Sequence, residues 1–76
     1  MATDRVGVVK RSVTIAGHRT SISLETPFWD ALAQHAAARG MSIQSLVASI
    51  DADRRGHNLS SAIRVWVLNK ALRPSP

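Results

Sequence analysis

The chain has 76 residues, 45% of them hydrophobic and 20% charged, with ten Lys+Arg against five Asp+Glu, a net charge of +5 and no cysteine. That length holds at most one domain, and the missing cysteine excludes disulfides, thiolate metal sites and a cysteine nucleophile. A domain this small buries only roughly 60% of its unfolded-chain surface, so oligomerisation is the expected remedy; the excess of positive charge points to an acidic partner, nucleic acid first.

Residues 1–9 show no period and are expected to form a flexible arm. Asp4 and Arg5 stand where a signal peptide would place its apolar stretch. Apolar runs such as Val65-Trp66-Val67-Leu68 are far shorter than the ~20 residues of a membrane span. The expectation is a soluble, cytoplasmic protein with no membrane partner. From Lys10 the pattern alternates: Lys10, Ser12 and Thr14 fall on one side, Val13 and Ile15 on the other, the period of a strand. Ala16-Gly17-His18 interrupts it. A second alternation follows, with Thr20, Ile22 and Leu24 on one face and Arg19, Ser21 and Ser23 on the other. Two strands joined by a Gly-containing turn most simply form a hairpin.

Thr26-Pro27 signals a helix start, with Thr26 placed to accept from first-turn amides and Pro27 where its missing N–H costs nothing. Trp29, Leu32, Ala33 and Ala36 form one apolar stripe, and Arg39-Gly40 closes the helix. Ser42 caps a second helix whose stripe is Ile43, Leu46, Val47 and Ile50. A charged turn from Asp51 to Asn58 follows, and Asn58 or Ser60 can cap a third helix running to about Leu72. Its apolar set is wider than one thin layer covers, so part of it is expected to meet another chain. Residues 73–76 read as a disordered tail. No internal repeat is apparent.

The segments Arg19-Thr-Ser-Ile-Ser-Leu-Glu-Thr-Pro27 and Arg39-Gly-Met-Ser-Ile-Gln-Ser-Leu-Val47 resemble the ribbon-helix-helix family of bacterial regulators, the Arc and MetJ type. A small subfamily with a Lys-Arg-Ser-Val-Thr-Ile-Ala-Gly-His-Arg-Thr-Ser-Ile-Ser-Leu-Glu opening and a Leu-Ser-Ser-Ala-Ile-Arg third segment is similar from Lys10 to about Leu68. The resemblance implies a mainly α fold with a short β-ribbon: an intertwined ribbon-helix-helix homodimer, here with an extra N-terminal strand and C-terminal helix, over residues 10–72. It implies a DNA-binding transcriptional regulator whose two-stranded antiparallel ribbon enters the major groove. Base contacts would fall on Arg19, Ser21 and Ser23. Phosphate contacts would fall on Ser42, Ile43 and Gln44 at a helix start, with Lys10 and Arg11 added from the first strand. The first strand is an alternative source of the ribbon, which would make Lys10, Ser12 and Thr14 the outward set.

Each functional reading has a plainer one beside it. Arg19, Ser21 and Ser23 also suit a solvated sheet face, and charge at Lys10 and Arg11 also protects a sheet edge. Asp51, Asp53 and His57 mix ligand types that select no ion, so they read as a solvated helix end rather than a metal site. Arg54 and Arg55 beside them are further candidates for phosphate contact. Two thin layers leave little room for a catalytic triad, and His35 sits at the edge of an apolar stripe, so the chain is not read as an enzyme. No cofactor is implied. Trp29 and Trp66 lie in helical stripes and are assigned to the dimer core with Ile22, Leu24, Leu32, Leu46, Val47, Ile50 and Ile63. Partners would be a second copy, in a dimer or tetramer, and double-stranded DNA. The alternative function is a protein-interaction or oligomerisation module, antitoxin-like or an adaptor, on the same fold.

Overall fold

A computed structural model describes residues 7–54, 56 and 58–72; of the arm expected at residues 1–9, residues 1–6 lie outside the described residues, as do the tail at 73–76, Arg55 and His57, while Val8 and Val9 belong to a strand and not to an arm. The element order is β1 (Val8–Ile15), β2 (His18–Glu25), α1 (Thr26–Ala38), α2 (Ile43–Ala52) and α3 (Leu59–Leu72). Strand β1 begins two residues before the alternation becomes clear, and His18 belongs to β2 rather than to the turn.

The two strands pair antiparallel with each other over eight residue pairs, from Val8↔Glu25 to Ile15↔His18. The connection is the two-residue turn Ala16-Gly17, with φ 53° and 83°. Positive φ at both central residues is the type I′ pattern, whose twist matches that of the strands. The expected hairpin is therefore present. The expected intertwining concerns a second chain, whereas within this one β1 occupies the position beside β2.

Helix α1 starts one residue before its expected first turn. Glu25 is the N-cap, without a side-chain capping bond, and Thr26 is already helical. The helix ends in a Schellman motif: Met41 N–H donates to Ala36 O and Gly40 N–H to Ala37 O, each at 3.0 Å, with Gly40 at φ 68°. Ser42 caps α2 as its sequence position suggests, its Oγ accepting from Ser45 N–H at 3.0 Å. Asn58 caps α3, accepting from Ser61 N–H through Oδ1 at 3.2 Å.

One core lies between the hairpin and the three helices. The strands supply Val13, Ile15, Ile22 and Leu24; α1 supplies Leu32 and Ala36; α2 supplies Leu46, Val47 and Ile50; α3 supplies Ile63 and Val67. Seven residues assigned from sequence to the dimer core (Ile22, Leu24, Leu32, Leu46, Val47, Ile50 and Ile63) are thus buried within a single chain. The other two, Trp29 and Trp66, are half-buried and pack against the rim of this core. The reason is the hairpin: β1 and β2 together form a lid wide enough to close over the helices of their own chain. The outer surface of α3 stays uncovered, with Val65 56%, Leu68 52% and Leu72 70% exposed. This matches the expectation that its apolar set is too broad for one layer.

Candidate nucleic-acid interface

Strand alternation sends every second residue of the hairpin away from the helices. The register sets Lys10 opposite Ser23, Ser12 opposite Ser21 and Thr14 opposite Arg19, and all six are exposed. The two sequence-derived sets, one per strand, therefore lie on one surface: two cations at diagonal corners and four hydroxyls between them. The only acid that the register places on this face, among the described residues, is Glu25, at its far end opposite Val8. Its carboxylate is already engaged. Arg64 Nε donates to Glu25 Oε1 at 2.7 Å, and this bond is the main reason that the Glu25 carboxyl is held below the ordinary value of 4.5.

Arg11 is not brought to that surface. It points to the helix side, where its guanidinium carbon lies 4.5 Å from the centroid of the Trp29 ring. Its Nε is shielded from water and has no hydrogen-bond acceptor, so the aromatic face is what supports this cation. The parity of the strand separates Lys10 from Arg11, and two adjacent basic residues acquire different surroundings.

The helix starts lie against the strand edges. Thr14 N–H donates to Gln44 Oε1 in the first turn of α2 at 2.7 Å, tying Ser42, Ile43 and Gln44 to the edge of β1. Ser23 N–H donates to Ser60 Oγ in the first turn of α3 at 3.1 Å, and Arg64 donates to Ser23 O at 3.2 Å on the same edge. These edge bonds involve side chains of average polarity at unremarkable spacings, and nothing in the sequence announces them.

Asp51 pairs with Arg54 at 2.6 Å, which occupies both in a surface contact. No group of three or more His, Cys, Asp or Glu able to hold a metal occurs among the described residues. His35 meets the Trp66 ring edge-on at 5.2 Å between centroids, with Arg39 and Lys70 also over that ring. No helix among the described residues is long and apolar enough to cross a membrane.

A strand followed by a Pro-containing helix, a Gly turn and a Ser-capped helix is the element order that the ribbon-helix-helix resemblance implies, here with β1 before it and α3 after it. Comparison with protein families matches that domain over residues 8–71. The chain belongs to the ribbon-helix-helix domain family. The match takes in β1 and α3 as well as the segment carrying the minimal motif. Members of this family are non-catalytic DNA-binding regulators, which agrees with the reading of this ribbon-helix-helix chain as something other than an enzyme. Searches of curated proteins and of solved structures return no match.

Proposed function

We propose that this ribbon-helix-helix protein is a transcriptional regulator that binds double-stranded DNA by inserting the outer face of the β1–β2 hairpin into the major groove. The observation that carries the reading is the composition of that face. Six exposed polar side chains, two of them cationic, sit on a two-stranded ribbon, the width that the major groove admits. Arg19 is suited to guanine, and the hydroxyls of Ser21 and Ser23 donate or accept at base edges. Lys10 supplies phosphate contact, and the net charge of +5 adds a salt-sensitive attraction through counterion release. The first turn of α2, at Ser42, Ile43 and Gln44, lies beside the ribbon and offers its amides to a backbone phosphate. The chain acts as a homodimer, and the stripe Val65, Leu68 and Leu72 is the surface through which a second copy is held.

The test is fluorescence anisotropy of labelled duplexes, comparing the upstream region of the protein's own gene with a scrambled control at several salt concentrations. Preferential binding to the upstream duplex, lost in Arg19→Ala, is the expected result. Equal binding to both duplexes that disappears by about physiological salt would leave only the non-specific charge contribution. That outcome would favour the second reading, a protein-interaction module. Its supporting observation is the same uncovered stripe on α3, and a polar substitution there would then abolish partner binding.

A further inference from the structure

Trp66 sits where basic side chains from two helices meet. His35 and Arg39 come from the C-terminal end of α1, Arg39 being its C-cap residue, and Lys70 comes from the last turn of α3. The guanidinium carbon of Arg39 lies 5.1 Å from the centre of the Trp66 ring and the Lys70 ammonium 5.3 Å from it. The His35 ring meets it edge-on at 5.2 Å. Helix dipoles favour a cation at each of these helix ends, which accounts for the residue types. They do not bring both cations to one ring. Among the described residues, no carboxylate pairs with Arg39 or Lys70; the acids in ion pairs, Glu25 and Asp51, are held by Arg64 and Arg54. Two like charges therefore share a small area, offset by the electron-rich face of one indole. The ring also steadies two long side chains, so less rotamer freedom remains to be lost when an anion binds.

The place of this cluster identifies the anion. Arg39 precedes Ser42 by three residues, so their Cα atoms lie within about 11 Å of each other, or about three base-pair steps along one DNA strand. Ser42 opens α2, whose first turn is bonded to the edge of β1 through Gln44 and Thr14. The cluster thus continues from the helix start that is proposed above to receive a backbone phosphate. Separate cations spaced beyond that start match a ligand whose charges repeat along its length, and the guanidinium fork of Arg39 suits phosphate oxygens.

We propose that Arg39 and Lys70, held over Trp66, form a second phosphate site beside the first turn of α2, through which the third helix extends the contact along the backbone of the duplex. This rests on the reading of the protein as a DNA-binding regulator. Contacts of this kind carry no sequence information, so the site contributes affinity and register and not the choice of bases. It holds whichever strands form the reading ribbon.

The experiment measures binding of the full-length protein to two labelled duplexes, the upstream region of its own gene and a scrambled control, by fluorescence anisotropy between about 50 and 200 mM salt. Wild type is compared with Arg39→Gln, Lys70→Gln, the double variant and Arg54→Gln, an equal loss of charge outside the cluster. Circular dichroism and melting temperature establish that each variant folds. Each cluster variant is expected to flatten the plot of log affinity against log salt by about 0.9, and the double variant by about twice that. The fractional loss should be the same on both duplexes, and Arg54→Gln should keep the wild-type slope. Trp66→Phe keeps a ring beneath the cations and should bind as wild type does, whereas Trp66→Leu should bind roughly 3-fold more weakly. A Trp66→Leu protein with wild-type affinity overturns the part given to the ring. If the double variant keeps the wild-type slope while wild type binds, the second phosphate site is overturned and DNA binding stands. Equal flattening by Arg54→Gln also overturns it, because net charge alone would then account for the change. If wild type binds neither duplex, the DNA-binding reading fails and this site fails with it.

Discussion

Ala16 holds φ 53° in the two-residue hairpin turn, a conformation in which its Cβ costs roughly 1–2 kcal/mol. Asn is tolerated there because its short polar side chain bonds locally. Ala16→Asn is expected to stabilise the protein by about 1 kcal/mol, read as a rise in melting temperature of roughly 4–8 °C. Glu25 gives a pH-dependent counterpart. Its carboxyl is held below 4.5, first by the hydrogen bond from Arg64, so the folded state binds this proton less readily than the unfolded chain. The stabilisation is fully present above about pH 4.5 and is lost as pH falls through the lowered folded value. In urea titrations, the stability gap between wild type and Glu25→Gln should narrow on acidification; a gap independent of pH would show that the Arg64 contact contributes nothing. The surroundings of Arg11 were not legible in the sequence. Alternation assigns it a side of the strand, but only the packing of α1 brings Trp29 beneath it.

At the scale of elements, the local signals were largely sufficient. Ser42, Gly40 and Asn58 mark helix ends because their chemistry solves a local problem: free amides at a start and left-handed backbone at a stop. A Cβ added at Gly40 would meet no atom within 4 Å, so Gly40→Ala isolates the backbone cost. The variant should lose about 1 kcal/mol, measured by urea denaturation with an unchanged m-value. The start of α1 shows the limit of such signals. Thr26 has the chemistry of an N-cap, yet Glu25 takes that position, because β2 runs directly into the helix.

For the whole molecule, the question is what covers α3. Among the described residues, burial of eleven hydrophobic side chains in one core leaves Val65, Leu68 and Leu72 outside it, and exposed apolar contacts of this kind drive association. Leu68 is 52% exposed, so Leu68→Lys should leave the fold intact while weakening self-association. Sedimentation equilibrium is expected to show wild type near twice the 8.2 kDa chain mass and the variant near the chain mass. Wild type at the single-chain mass across micromolar concentrations would refute the dimer. The melting temperature of wild type should also rise with protein concentration.

Element order, the helix caps at Ser42 and Asn58, the polar and apolar sides of each strand, and the family resemblance are all legible in the order of the amino acids. All of these depend on neighbours within a turn or two, where backbone chemistry and periodicity act directly. The tertiary structure decided that the nine residues assigned to a dimer core lie in or against one chain's own core, and that the edges of β1 and β2 are held by Gln44, Ser60 and Arg64. Those contacts join residues 30 to 41 positions apart. Their energies depend on where whole elements come to rest, and no local pattern carries that information. The six-residue polar face belongs to both levels: alternation chose its members, and the hairpin register brought them together.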